Sequence, residues 1–93
     1  MPFTISIQVE AVEDIQYAFE WYELQKKGLG YSFLEEIDDC LVKLGNNPLY
    51  YGYVNKLFRK IKTNKFPFII VYEIENNTVF ITAVRHTSRK PKY

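Results

Sequence analysis

Apolar and polar residues alternate over residues 3–9: Phe3, Ile5, Ile7 and Val9 are apolar, and Thr4, Ser6 and Gln8 are polar. A period of two predicts a strand with one buried face. The period then lengthens. Val12, Ile15, Ala18, Phe19 and Tyr22 recur at helical spacing and predict a helix over 11–27. Glu13 and Asp14 suit its positive start and Lys26 and Lys27 its negative end, while Gly28 is placed to close it in the left-handed conformation. A second apolar stripe follows: Phe33 or Leu34, then Ile37, Leu41 and Leu44. Ser32 and Glu35 have capping-box spacing, and a start nearer Leu29 is equally open. Gly45-Asn-Asn-Pro48 ends this helix. With only residues 28–30 between them, the helices should form an antiparallel hairpin.

Residues 66–74, Phe-Pro-Phe-Ile-Ile-Val-Tyr-Glu-Ile, are almost wholly apolar. So short a run predicts an interior strand covered on both faces. Pro67 has no N–H to give, so pairing should be incomplete at that end. A basic strand over 56–62 precedes it, through a turn at Thr63-Asn64-Lys65. Ile61 points away from Lys60 and Lys62, which therefore share one side. A strand over 78–86 follows the turn Asn76-Asn77, asparagine being tolerant of positive φ. Strict alternation there sets Val79, Ile81 and Ala83 against Phe80, Thr82, Val84 and His86. These three strands read as a meander. The element order is β-α-α-β-β-β in one domain, residues 1–93. Two helices cannot cover both faces of a four-stranded sheet, so an α+β, two-layer fold with one open face is expected.

Charge sharpens this picture. Residues 1–53 carry nine acids and three bases, a net −6, and residues 54–93 carry nine bases and two acids, a net +7. Such polarity predicts an electropositive surface suited to an acidic target, unless the halves neutralise each other across the fold. The single cysteine, Cys40, excludes an internal disulfide framework and suits a reducing cytoplasm. Beside an apolar stripe it reads as packing. No membrane span or signal sequence is expected. One His and one Cys make a poor ligand set, and no glycine-rich phosphate loop follows a strand, so no metal or cofactor is expected. The tyrosines of 48–54, Pro-Leu-Tyr-Tyr-Gly-Tyr-Val, either close the open end of the domain or stack on bases.

What remains is basic and aromatic. Cleaving RNA with its own 2′-hydroxyl needs a base, fixed positive charge at the phosphate and an acid for the leaving oxygen. Lys60, Lys62, His86 and Tyr93 are the candidates for those roles. Arg59, Lys65, Arg85, Arg89 and Lys90 are candidates for contacting a nucleic-acid or acidic protein target. Each has a plainer reading. Edge lysines repel added strands, a histidine at a strand end is often scaffolding, and a basic tail is often only solvated.

The ordered series of segments resembles the RelE/ParE superfamily of toxins of bacterial type II toxin–antitoxin systems. Its carriers are Asp14-Ile-Gln-Tyr-Ala-Phe-Glu-Trp-Tyr, Gly28-Leu-Gly with Phe33 and Glu36, Asn47-Pro48, Phe58-Arg-Lys, Phe66-Pro-Phe-Ile-Ile-Val-Tyr72 and His86-Thr-Ser-Arg-Lys-Pro-Lys-Tyr93. The resemblance implies an antiparallel sheet with the helical hairpin on one face and the first strand beside the last. It implies a growth-inhibiting toxin neutralised by a cognate antitoxin, an acidic or amphipathic chain that wraps or augments the domain and folds on binding. No membrane or small-molecule cofactor is implied. RelE-like members cut mRNA on the ribosome, whereas ParE-like members inhibit DNA gyrase. Lys60 and Lys62 match paired lysines of the nucleases, and Tyr93 a C-terminal tyrosine. Ile69 stands where the nucleases place a phosphate-binding arginine, and Thr87 where their tail has another. The Phe-Pro-Phe and His-x-x-Arg-x-Pro segments look ParE-like. The resemblance therefore favours a gyrase-directed, non-nuclease toxin. A ribosome-dependent endoribonuclease is the alternative, and a non-toxic basic binding module a further one.

Overall fold

The structure is a computed structural model that describes residues 2–88. Its elements are β1 (Thr4–Ile7), α1 (Val9–Gln25), α2 (Leu29–Asn46), β2 (Arg59–Lys62), β3 (Phe68–Glu75) and β4 (Thr78–His86), with a 3-10 turn at Pro48–Tyr50. The four strands form one sheet in the order β1-β4-β3-β2, so β3 is interior as predicted. The sheet is mixed rather than wholly antiparallel. β2, β3 and β4 make the antiparallel meander, but β1 joins β4 in parallel. The reason lies in the helical hairpin. The Phe3 N–H donates to the Gly45 carbonyl at 2.7 Å, so α2 ends beside the start of β1. The helices bring the chain back to where it began, and two further reversals leave β4 running with β1.

Gln8 joins the first two elements. Its N–H donates to the Ile81 carbonyl, closing the sheet, while its own carbonyl accepts the Val12 N–H, opening α1. The strand predicted over 3–9 is shortened accordingly, and Val9 is helical and exposed. Gly28 takes a φ of 89°, as expected of a residue closing a helix. The capping box at Ser32 does not form, because α2 already begins at Leu29. Its first N–H groups are served instead by Glu23, whose carboxylate accepts from Gly28 at 3.2 Å and Gly30 at 2.7 Å.

Both helices pack on one face of the sheet. Tyr22, Phe33, Phe66 and Phe68 meet there as a cluster of rings, with centroids 4.9 to 6.2 Å apart. Ile70, Tyr72, Val79 and Ile81 lie fully buried behind them. The expectation that residues 66–74 are covered on both faces is corrected. Phe68, Ile70 and Tyr72 are buried, but Ile69, Val71 and Glu73 between them are only half-buried. Two helices supply one covering layer, and the second face stays open.

The strict alternation read into residues 79–86 is also corrected. The register places Val71 opposite Ala83 but Tyr72 opposite Ile81, leaving Thr82 as a bulged extra residue. Its hydroxyl donates to the Val71 carbonyl at 3.2 Å. A bulge shifts the phase of every residue beyond it. Val84 therefore joins Val79 and Ile81 on the helix side, opposite Ile70, and Arg85 lies on the open face opposite Ile69.

Tyr72 locks the far end of the core. Its hydroxyl donates to the Pro48 carbonyl at 2.6 Å. Burial, against the opposing pull of Arg59, pushes its phenol up to about 12. Tyr72→Phe should lose about 1–3 kcal/mol near neutrality, because the Pro48 carbonyl is left without its partner. The unfolded phenol ionises near 10 and the folded one does not. This contribution is therefore whole below pH 10 and fades as pH climbs toward 12. Urea unfolding of both forms should show the gap between them narrowing over that window; a constant gap would contradict the assignment.

Candidate functional site

The open face of the sheet carries a row of paired residues. Lys62 lies opposite Ile69, and Ile69 opposite Arg85; one step along, Lys60 lies opposite Val71, and Val71 opposite Ala83. Paired residues project from the same face. Lys60, Lys62 and Arg85 are all exposed. Three cations thus stand around a half-buried aliphatic strip at one end of the sheet. Glu73 and Glu75 occupy the other end of β3. The sequence had joined Lys60 with Lys62. Arg85 came to the same face only through the Thr82 bulge, and the signal for it was the apolar pair Ala83-Val84 in an otherwise alternating strand. Ile69 and Val71, the floor of the row, had been read as buried core.

Arg59 lies elsewhere. It pairs with Tyr72, on the helix side of β2. One guanidinium nitrogen donates to the carbonyls of Tyr51 at 2.6 Å and Leu49 at 3.2 Å, the other to the Tyr53 hydroxyl at 2.8 Å. Its carbon sits 4.1 Å from the centre of the Tyr53 ring. The side chain organises the tyrosine-rich loop. That loop also pairs with β2: the Lys60 N–H donates to the Gly52 carbonyl, and Tyr53 bridges Arg59. The first half of the β2 edge is therefore occupied by the chain itself.

His86 also parts from the lysines. It pairs with Phe68 on the helix side, with the two rings edge-on at 5.2 Å. Its Nδ1 accepts the Ser88 N–H at 3.2 Å. Lys65 lies in the β2–β3 turn, where its backbone N–H and that of Phe66 donate to the Glu36 carboxylate at 2.7 and 3.0 Å. In the same turn the buried Thr63 hydroxyl binds the carbonyls of Phe66 and Phe68. Arg89, Lys90 and Tyr93 lie outside the described residues.

The acids of the helices have work of their own. Asp14 accepts the Val84 N–H at 3.0 Å, where β4 has run past the end of β1. Glu23 serves the start of α2 and Glu36 the β2–β3 turn. Asp14 and Glu36 thus fasten the helices to the sheet through backbone, while Lys62, at the end of β2, also lines a cleft with Glu35, Glu36 and Asp39 of α2. Cys40 is buried, and burial pushes its thiol up, as suits a packing residue. Among the described residues, no group of three His, Cys, Asp or Glu side chains is placed to hold a metal ion. Nor is any helix long and apolar enough to cross a membrane.

Comparison with known proteins fits this geometry. Residues 5–91 match the family model for the ParE toxin of the type II toxin–antitoxin system parDE. No curated protein sequence matches the chain significantly. Among solved structures, a chain of the chromosomal ParDE system from P. aeruginosa superimposes with a TM-score of 0.82, covering 92% of this chain and 97% of that one at 11% identity. The isolated E. coli RelE toxin gives 0.69, covering 95% and 87% at 17% identity. The toxin–antitoxin complex RelBE2 from Mycobacterium tuberculosis gives 0.65, covering 92% and 99%, also at 17%. At such identities these structures establish the shared fold, and the family model spans nearly the whole chain. The chain belongs to the ParE toxin family: it is the toxin of a type II toxin–antitoxin system, and a cognate antitoxin is its partner.

Proposed function

We propose that this toxin arrests growth by binding DNA gyrase through the cationic open face of its sheet, without cutting RNA. Residues 1–93 would act as one toxin domain in the cytoplasm. One observation carries the reading: Lys60, Lys62 and Arg85 share the open face around Ile69, while His86 lies on the other side of the sheet against Phe68. Cations around an aliphatic strip can dock an acidic protein surface. Among the candidates for acid–base work, the His86 imidazole is out of reach of a phosphate held on the open face. The apolar Ile69 at the centre of the row points the same way, since a phosphate there would meet a methyl group instead of a donor. The antitoxin would hold the toxin inactive until released.

Two assays on the purified toxin test this together. It should block supercoiling of relaxed plasmid by gyrase, and it should leave ribosome-bound mRNA intact. His86→Gln should retain the supercoiling block within about threefold, as a residue outside the docking face should. Cleaved mRNA with unimpaired supercoiling would overturn the proposal.

A further inference from the structure

The open face is charged at both ends, with opposite signs. Ile69 and Val71 of β3 lie in the rows that hold Lys62, Arg85 and Lys60, and the next residues of β3 to project from that face are Glu73 and Glu75. From Ile69 to Glu75 the strand covers about 20 Å, at about 3.4 Å per residue. Glu73 is half-buried and Glu75 exposed. Opposite them on β4 stand Phe80 and Thr78, so neither carboxylate faces a cation on that strand. Glutamate is a poor strand former. The rest of β3 is Phe, Ile, Val and Tyr, so local preference does not account for two carboxylates here. Keeping the hairpin end soluble would be served by either sign of charge.

The sign matters for what the face can accept. An extended nucleic acid carries a negative charge at every nucleotide and gains from each further cation it meets. On this face the cations do not continue. Following β3 away from the cationic rows leads onto Glu73 and Glu75. Crossing the β2 edge at Lys62 leads into the cleft between α2 and the β2–β3 turn, where Glu35, Glu36 and Asp39 match Lys43, Lys62 and Lys65 in number. The chain as a whole carries only +1, whereas nucleic-acid-binding domains are usually strongly basic. A compact acidic patch on a folded protein meets no such obstacle, because it can end where the cations end.

We propose that Glu73 and Glu75 set the specificity of the open face: they turn away nucleic acid and leave the face to a protein with a compact acidic patch. Discrimination of this kind comes from like charges set against the wrong partner. The inference deepens the gyrase reading and rests on its assignment of the open face to the target. It names the class of molecule that this face refuses, and refusal can be measured without gyrase.

The test follows binding of a short fluorescein-labelled oligouridylate by anisotropy at low salt, with the wild-type toxin and with Glu73→Lys/Glu75→Lys. The double variant should bind about 30-fold more tightly, as two repulsions become two attractions. Its log–log salt dependence should steepen by about 1.4, two phosphate contacts at about 0.7 each on a single strand. Adding Lys60→Gln to it should take back about fivefold, which locates the oligonucleotide on this face. Glu10→Lys/Glu13→Lys makes the same change of net charge at exposed positions of α1, on the helix side, and should gain no more than about threefold. Glu75→Lys alone, exposed beside the turn, should gain about fivefold, and keeps the test open if the double variant folds poorly. Equal gains from the sheet and helix variants would reduce the effect to net charge and refute the proposal. Tight binding of the oligonucleotide by the wild type would refute it as well. A wild-type toxin that leaves supercoiling untouched would refute the target reading, while the oligonucleotide comparison would still decide this one.

Discussion

Replacing Gly30 with alanine should destabilise the toxin by about 2–4 kcal/mol, the upper range for forcing one extra carbon into a packed contact. Helix propensity alone predicts the opposite sign, since alanine in a helix is favoured over glycine by about 1 kcal/mol. The contact decides. A methyl group at Gly30 would stand 2.7 Å from both the Phe19 ring and the Phe19 carbonyl oxygen, and 2.8 Å from the Glu23 side chain. The ring can turn, but the carbonyl belongs to α1 and can retreat only if the helices part. Parting them would also stretch the 2.7 Å bond from the Gly30 N–H to Glu23. The melting temperature should fall by about 10 °C or more, because each 1 kcal/mol is worth about 4–8 °C in a domain of this size. An alanine variant that melts at or above the wild-type temperature would show that the helices do not approach so closely.

Reversing both edge charges, Lys60→Glu with Lys62→Glu, should weaken gyrase inhibition by about 100-fold or more. Two cations facing an acidic surface become two anions, and like-charge contacts cost several kcal/mol, each 1.4 of which is tenfold in affinity. Stability should move by less than about 1 kcal/mol, because exposed positions away from the core tolerate substitution. Lys60 and Lys62 are exposed, while Ile61 between them is buried. The plain reading of edge lysines, that they only repel stray strands, predicts a different outcome. Inhibition would persist and the variant would aggregate or pair edge to edge. Titrating gyrase supercoiling while following the toxin by light scattering separates the two. Full inhibition by a soluble, folded double variant would remove the open face from the mechanism.

Much of this protein was legible in one dimension. Helix and strand periods gave the β-α-α-β-β-β order, and the shortness of the link at residues 28–30 gave the hairpin. Ile61 between Lys60 and Lys62 put two lysines on one side, because side chains in a strand alternate whatever the neighbours do. Asn76 was read as a turn residue for its tolerance of positive φ, and it has a φ of 55°. These are local properties, fixed by a residue and the few beside it.

What the sequence left open depended on partners far along the chain. Gly30 read as part of the short link between the helices, and its need for a missing side chain arises from Phe19 across the hairpin. Glu36 stood out only within the family resemblance, whereas its role is to hold backbone some thirty residues away. Arg59 and Lys60 are neighbours in a basic run, yet one ties down the tyrosine loop and the other stands on the open face. Arg85 reached that side, and His86 left it, because β4 takes one residue more than β3 where Thr82 bulges. The alternation of a strand is decided locally, but its phase is decided by pairing. That phase, set by tertiary structure, determines which cations of this toxin stand together.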